Sequence, residues 1–269
     1  MSKIRRPLRF ATFLAPSIWP VYQAVADCIG ERLGYDTELV VGGSFDEFAE
    51  DIADVGFICG LPYVLLMRQD TPPVEVLAAP VLEGGRYGGK PVYFSDVIVR
   101  ADSPLRSFAD LHGHSWSYND RDSQSGYGVT RYRLVEMGET TGYFGKVIEA
   151  GFHQESIRMV RAGEVDASAI DSQVLAVAMR DDPTLEGDLR IIDALGPSTI
   201  QPVVAARSMP DGLKSDLQTV LLTMHNDPAL QVQLGVGMVE RFAPVTDASY
   251  DDIRHMLAAA ESADFLELR

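Results

Sequence analysis

Apolar residues along the chain alternate between a two-residue period and a three-to-four-residue period, the pattern of strands followed by helices. Residues 8–13 read as a first strand. Over 17–33, Ile18, Val21, Val25, Ile29 and Leu33 share one helical face, and Gly34 suits the cap beyond it. Residues 37–41 form a second strand, and Ser44-Phe45-Asp46-Glu47 is a capping-box pattern that opens a short helix. A third strand covers 54–59, and Gly60-Leu61-Pro62-Tyr63 starts a helix with proline in its first turn. Residues 74–82 and 92–99 are strands flanking a glycine-rich turn at 84–89. A second unit follows: a helical turn at 108–113, a strand at 115–118 and a helix at 125–137. Then come a helix at 154–162, a strand at 165–170, a helix at 172–180 and extended segments at 189–195 and 203–206. Helices at 212–226, 229–239 and 250–263, the last capped by Ser249, complete the chain. This alternation predicts an α/β fold with a largely parallel sheet, and no internal repeat or low-complexity tract interrupts it.

With 269 residues, the chain is long enough for one large domain or two lobes. Its net charge of −16 argues against nucleic acid or an anionic membrane as partner, because both require a basic surface. An anionic ligand would have to be held by local dipoles and hydroxyls against the global field. Cys28 lies in a helical pattern and Cys59 ends an apolar strand; both read as small core residues, and their pairing is open. No run of eighteen apolar residues is present, so no membrane insertion is expected. Met1 to Pro7 has the charges of a signal n-region, but the apolar stretch 8–15 is short and broken by Thr12. As written, the chain is expected in the cytoplasm; a precursor carrying a signal would place it in the periplasm or cell envelope.

The stretch with the most chemical character is Asn119-Asp120-Arg121-Asp122-Ser123-Gln124-Ser125-Gly126-Tyr127, which joins the strand at 115–118 to the following helix. The first N–H groups of a helix lack partners within it, and with the helix dipole they attract anions. On spacing alone, ordinary capping is the stronger reading, since Asp and Ser are favoured N-caps. No CxxC, H-E-x-x-H, P-loop, Rossmann glycine pattern or G-x-S-x-G elbow occurs, so no metal, cofactor or catalytic residue is assigned.

Around this turn the chain resembles the phosphate/phosphite/phosphonate substrate-binding proteins of ABC transporters. The resemblance rests on Asp102-Ser103-Pro104, Asp110-Leu111-His112-Gly113-His114, the stretch Asn119 to Tyr127, Gly151-Phe152-His153 and Gly163-Glu164-Val165-Asp166-Ala167, in order and spacing. Gly60-Leu61-Pro62-Tyr63 and Val245-Thr246-Asp247-Ala248-Ser249-Tyr250 extend it to both ends. It implies the α/β two-lobed type 2 periplasmic-binding-protein fold, with two mixed sheets flanked by helices and a central cleft. Lobe one would be residues 1–96 plus 204–269 and lobe two 97–203. It also implies a non-catalytic role, enclosure of a small oxyanion, and an ABC-transporter permease as partner. A cytoplasmic sensor or carrier on the same fold is the alternative, and a small-molecule enzyme is a further one, because this fold also hosts catalysts.

The resemblance assigns ligand contact to Ser123 and Ser125 through hydroxyl and amide groups, and to Gly126 through close backbone approach. Gln124 stands where the family has threonine; it is longer and implies a different or larger headgroup. Arg121 replaces a usual proline and reads either as an anion partner or as an exposed loop residue. His153 matches a family histidine that donates to the ligand, with a structural histidine as the equal alternative, and Tyr93 matches a ligand-contacting tyrosine on a crossover strand, with a core strand aromatic as the alternative. Tyr63 and the loop Ala15-Pro16-Ser17 are candidates for the other wall of the cleft, with helix capping the stronger reading of Ser17. Asp171, at a strand's carboxyl end, reads equally as a ligand contact and as the cap of the next helix, while Asp166 reads as a turn residue. Relatives that take aminoalkyl phosphonates pair the ligand's amine with carboxylates, and the matching positions here are Gln173 and Gln201. Calorimetry is therefore expected to show poor binding of 2-aminoethylphosphonate; tight binding of that compound would contradict this assignment of Gln173 and Gln201.

Overall fold

Packing divides the chain into two units, Met1–Val92 with Ile200–Tyr250 and Tyr93–Thr199 with Asp251–Arg269. The computed structural model describes residues 6–268, so Met1 to Arg5 of the basic N-terminal stretch lie outside the described residues. In chain order the strands are β1 (Leu8–Thr12), β2 (Thr37–Val41), β3 (Val55–Phe57), β4 (Val74–Leu82), β5 (Val92–Arg100), β6 (Ser115–Tyr118), β7 (Lys146–Glu149), β8 (Ala167–Asp171), β9 (Leu189–Thr199), β10 (Val203–Ala206) and β11 (Val239–Ala243). The α-helices are α1 (Trp19–Leu33), α2 (Gly60–Leu66), α3 (Val129–Met137), α4 (His153–Ala162), α5 (Ser172–Asp181), α6 (Leu185–Asp188), α7 (Asp211–Thr223), α8 (Pro228–Gly235) and α9 (Asp251–Ser262).

The first unit holds a sheet in the order β11-β4-β10-β3-β1-β2. β1 pairs in parallel with β2 and β3, whereas β10 runs antiparallel to β3 and β4, and β11 antiparallel to β4. The sheet is mixed, not largely parallel, because β10 and β11 are not fed by the β-helix-β repeat that makes β1 to β3 parallel. α1 buries Val21, Val25 and Ile29 as its periodicity predicts, and it ends at Gly34, whose φ of 70° suits glycine. Gly56 in β3 lies against Phe48: a β-carbon there would run into the ring. The capping box at Ser44 and Glu47 is formed.

The second unit holds a sheet in the order β7-β6-β8-β5-β9, with β6 parallel to β7 and β8 and antiparallel pairing of β5 to β8. Both faces of this sheet are covered. One carries Trp116, Phe108, Tyr143, Phe144 and Leu134, with Trp116 and Phe144 stacked at 4.7 Å. Ile98, Ile157, Val160, Ile170 and Leu175 fill the other. Ser168 resolves its burial by donating to the Ser117 carbonyl at 2.8 Å.

Division of the chain after the fold differs from the sequence-based one at the C-terminus, which that reading gave wholly to lobe one. Met256, Phe265 and Leu268 pack in the core with Trp116 and Phe108, so α9 and its tail belong to the second unit. Asp252 fixes the return by accepting the Thr199 N–H at 2.6 Å. Two strands escaped the pattern reading. β7 is a half-exposed edge strand of four residues with no alternation to reveal it. β11 was absorbed into a helix at 229–239, but α8 stops at Gly235 and Met238 takes a positive φ of 59° that ends any helical path. Cys28 and Cys59 are not joined by a disulfide. Among the described residues no helix is long and apolar enough to cross a membrane.

Candidate functional site

Because β7, β6 and β8 are parallel neighbours, the three segments that leave their carboxyl ends start from one edge of the sheet. β6 leads into the turn before α3, β7 into α4 and β8 into α5. Three helix starts converge there, and such edges are where α/β sheets hold ligands.

The turn after β6 is unusual. Ser123 has an extended backbone, and its Oγ accepts the Gly126 N–H at 3.1 Å. Its carbonyl accepts the N–H groups of Tyr127 at 3.2 Å and Gly128 at 2.9 Å, and the Gln124 carbonyl accepts that of Val129. Residues Gln124–Gly128 therefore form one widened π-turn, and α3 proper begins at Val129, four residues later than the sequence pattern indicates. The Ser125 N–H takes no part in this internal network.

Ser123 Oγ lies 3.2 Å from Ser125 Oγ, which lies 2.9 Å from His153 Nε2. All three side chains are buried. His153 is the first residue of α4, and burial alone pushes its pKa down to about 3, so its ring is neutral near pH 7. The other ring nitrogen, Nδ1, is buried without a partner. The hydroxyl–hydroxyl–imidazole chain can carry its protons in either direction, since hydroxyls donate and accept and a neutral imidazole does one at each nitrogen.

Space over Gly126 is taken by the side chain of Asn119: a β-carbon at 126 would overlap Asn119 Oδ1. That oxygen is itself buried without a partner. Asn119 was not singled out by the sequence, where it reads as one more turn residue; an amide at the carboxyl end of a strand, seven residues before a glycine, was the available signal. Gln124 is buried, and its Nε2 lies 3.1 Å from Met256 Sδ and 3.4 Å from Ser198 Oγ. Its Oε1 turns back over Gly128, where a β-carbon would strike it. The extra length of Gln124 is thus directed at α9 and β9, which weakens the inference of a larger headgroup from that length.

Arg121 does not serve as a loose cation. It donates to Glu267 at 3.0 Å, a contact that together with Tyr118 pushes its pKa up, and it stands 3.7 Å from Glu149. Burial, and then repulsion by Asp120 and Glu149, raises the pKa of Asp122. The loop around the two serines therefore carries a negative local field, and its binding capacity lies in hydroxyls and amides.

Tyr93 opens the second unit's part of β5 and is buried. Pairing of Ser95 with Asp171 sets β5 beside the start of α5, where Ser172 Oγ accepts the Phe94 N–H at 3.2 Å. Asp171 caps α5, its Oδ1 accepting the N–H groups of Gln173 at 2.8 Å and Val174 at 3.4 Å, and Gln173 is buried in the first turn. Asp166 staples β6 to β8 by accepting from the Ser115 N–H at 2.8 Å and hydroxyl at 2.6 Å, a structural role as its position suggested. Tyr63 and Gln201 belong to the first unit. Tyr63 is fully buried there, donating to Asp247 Oδ1 at 2.9 Å with its ring 4.7 Å from that of Tyr250, and Gln201 is half-buried just before β10. Ser17 does not cap α1: it lies inside a short 3-10 turn, Pro16–Ile18, and the residue before α1 is Ile18. Among the described residues no cluster of three or more metal-ligating side chains occurs.

Residues 16–250 match the family described as ABC transporter, phosphonate, periplasmic substrate-binding protein. The chain belongs to this family, whose members bind solute for an ABC transporter and are not enzymes. Its fold is similar to that of a binding-protein component of an ABC phosphonate transporter from Pseudomonas aeruginosa, with a TM-score of 0.82 at 16% identity over 97% of this chain and 88% of that one. It is equally similar to PhnD1 from Prochlorococcus marinus in complex with methylphosphonate, with a TM-score of 0.82 at 17% identity over 96% of this chain and 98% of that one. The aliphatic sulphonate binding protein SsuA from Escherichia coli gives a TM-score of 0.62 at 15% identity over 97% of this chain and 88% of that one.

Depression of the His153 pKa has a consequence for stability. Unfolded histidine titrates near the ordinary value of 6.5 and the folded ring near about 3, so between these values the unfolded chain binds more protons. Stability attributable to this ring is complete above 6.5 and is lost as pH falls toward 3. Melting temperatures measured from about pH 7 to about pH 4 are expected to fall less steeply for His153→Gln than for the parent chain; equal slopes would contradict a buried neutral ring.

Proposed function

We propose that this family member binds a small oxyanion of the phosphonate, phosphite or phosphate type on the Ser123–Gly126 turn and His153, and passes it to an ABC-transporter permease. The observation that carries this reading is the buried chain Ser123 Oγ, Ser125 Oγ and His153 Nε2, at 3.2 Å and 2.9 Å, placed where helix starts converge. With Nε2–H donating to Ser125, both serine hydroxyls have protons to turn toward an anion. The Ser125 N–H and the dipoles of the helix starts add to them. Such donors offer a tetrahedral oxyanion several charge-assisted bonds without a free cation, which suits a chain of net charge −16.

Similar folds support the ligand class: PhnD1 is seen with methylphosphonate and SsuA is an aliphatic sulphonate binding protein, so both take a tetrahedral headgroup with an organic substituent. Tyr93, Asp171 and Gln173, gathered at the neighbouring carboxyl end of β8, are the groups we assign to the substituent side of the ligand. Gln173 carries no charge, in keeping with an uncharged substituent. The family description places its members in the periplasm. Fractionation of cells expressing the native gene distinguishes that location from the cytoplasmic one expected from residues 1–15.

Methylphosphonate is expected to raise the melting temperature of the parent chain, as binding to the native state requires. Ser125→Ala removes one donor to a charged ligand, for which a loss of about 1.5–3 kcal/mol is typical, so calorimetry is expected to show binding weakened by about tenfold or more. An unchanged dissociation constant in Ser125→Ala would remove this serine from the binding role.

A further inference from the structure

The π-turn keeps one i→i+4 bond, from the Tyr127 N–H to the Ser123 carbonyl, and not the continuous ladder of an ordinary helix start, so contacts from outside the turn add to what holds its shape. Four side chains around it reach a single partner, the C-terminal segment. Tyr127 Oη donates to the Leu266 carbonyl at 3.1 Å, and Arg131 Nη1 donates to the same oxygen at 3.0 Å. The Arg131 guanidinium carbon lies 4.7 Å from the Tyr127 ring centroid, and the Leu268 N–H donates back to the Tyr127 hydroxyl at 3.4 Å. Gln124 reaches Met256 and Arg121 reaches Glu267. Phe265, fully buried in the same core cluster as Tyr127, and Leu268 anchor the tail that presents these groups. Arg131 is buried, and the Leu266 carbonyl, the Tyr127 ring and the charge of Glu261 offset the loss of water around it.

We infer that Tyr127 is a positioning residue for the anion-binding turn: through the Leu266 carbonyl that it shares with Arg131, the C-terminal segment holds Gln124–Gly128 in the shape that presents Ser123 and Ser125. Tyr127 itself does not touch the anion. Its ring packs against Tyr118 at 4.8 Å and its hydroxyl is committed to the tail. The inference rests on the reading of this turn as the anion site.

Tyr127→Phe removes the hydroxyl and keeps the ring. Tyr143→Phe is a matched deletion, since Tyr143 donates to the Phe108 carbonyl at 2.7 Å in the same unit and bonds no residue of the turn. Hydrogen exchange of the full chain without ligand is expected to show the Tyr127 to Val129 amides about fivefold faster in Tyr127→Phe, the effect of one lost hydrogen bond. In Tyr143→Phe the same amides are expected to change by less than about twofold. Calorimetry with methylphosphonate is expected to show about fivefold weaker binding in Tyr127→Phe and parent-like binding in Tyr143→Phe. A purely structural role predicts the same modest stability loss in both variants with no separate response of the turn, and that result would overturn the inference. Failure of the parent chain to bind methylphosphonate counts against the ligand reading alone; the exchange comparison then still decides the positioning role.

Discussion

The hydrogen bond between Ser125 Oγ and His153 Nε2 ties the start of α3 to the start of α4, and the rest of the site follows from what that bond needs. Both groups are buried, and a polar group removed from water must find a partner or cost stability. The parallel pairing of β6 with β7 brings the two helix starts to the same sheet edge. Burial of the imidazole keeps it dry and hence uncharged. A charged ring there would carry a desolvation penalty. A neutral one remains a donor or acceptor that can reorganise with two hydroxyls at little cost.

On the proposed reading, this arrangement offers an anion site built from hydroxyls and amides in a strongly acidic chain. Its one loop arginine is engaged by Glu267 and Glu149, and the nearest carboxylate on the turn, Asp122, is held above its ordinary pKa by burial and by its acidic neighbours. Anion affinity must then come from oriented dipoles and hydroxyl protons whose positions are fixed in advance, since disordered donors would lose the advantage over water. Fixation comes from two directions: Asn119 against Gly126 from the strand side, and the tail contacts of Gln124 and Tyr127 from the other.

Much of this was legible in the chain itself. The α/β alternation, the end of α1 at Gly34, and the strand-to-helix position of Ser123 to Tyr127 all follow from local periodicity and capping chemistry. Local signals failed where tertiary contacts decide. β7 has no burial pattern of its own because it lies at the sheet's edge, and β11 was hidden by helix-forming neighbours before Met238. The π-turn was read as the first turn of α3, because its extra residue is stabilised by Met256 and Leu266, which lie more than 130 positions away in sequence. The same distance explains why the direction of Gln124 and the allegiance of α9 were not visible. Asp171 shows the middle case: sequence left capping and ligand contact equal, and the structure shows the cap formed through Oδ1.

The central claim is that the Ser123–Gly126 turn and His153 form the anion site. It is tested most directly by following backbone amide resonances of the isotopically labelled chain during titration with methylphosphonate. The account predicts saturable shifts that are largest at Ser125 and Gly126, with a matching response of the His153 ring. Saturable shifts confined to residues remote from this turn, with Ser123, Ser125 and His153 unmoved, would contradict it.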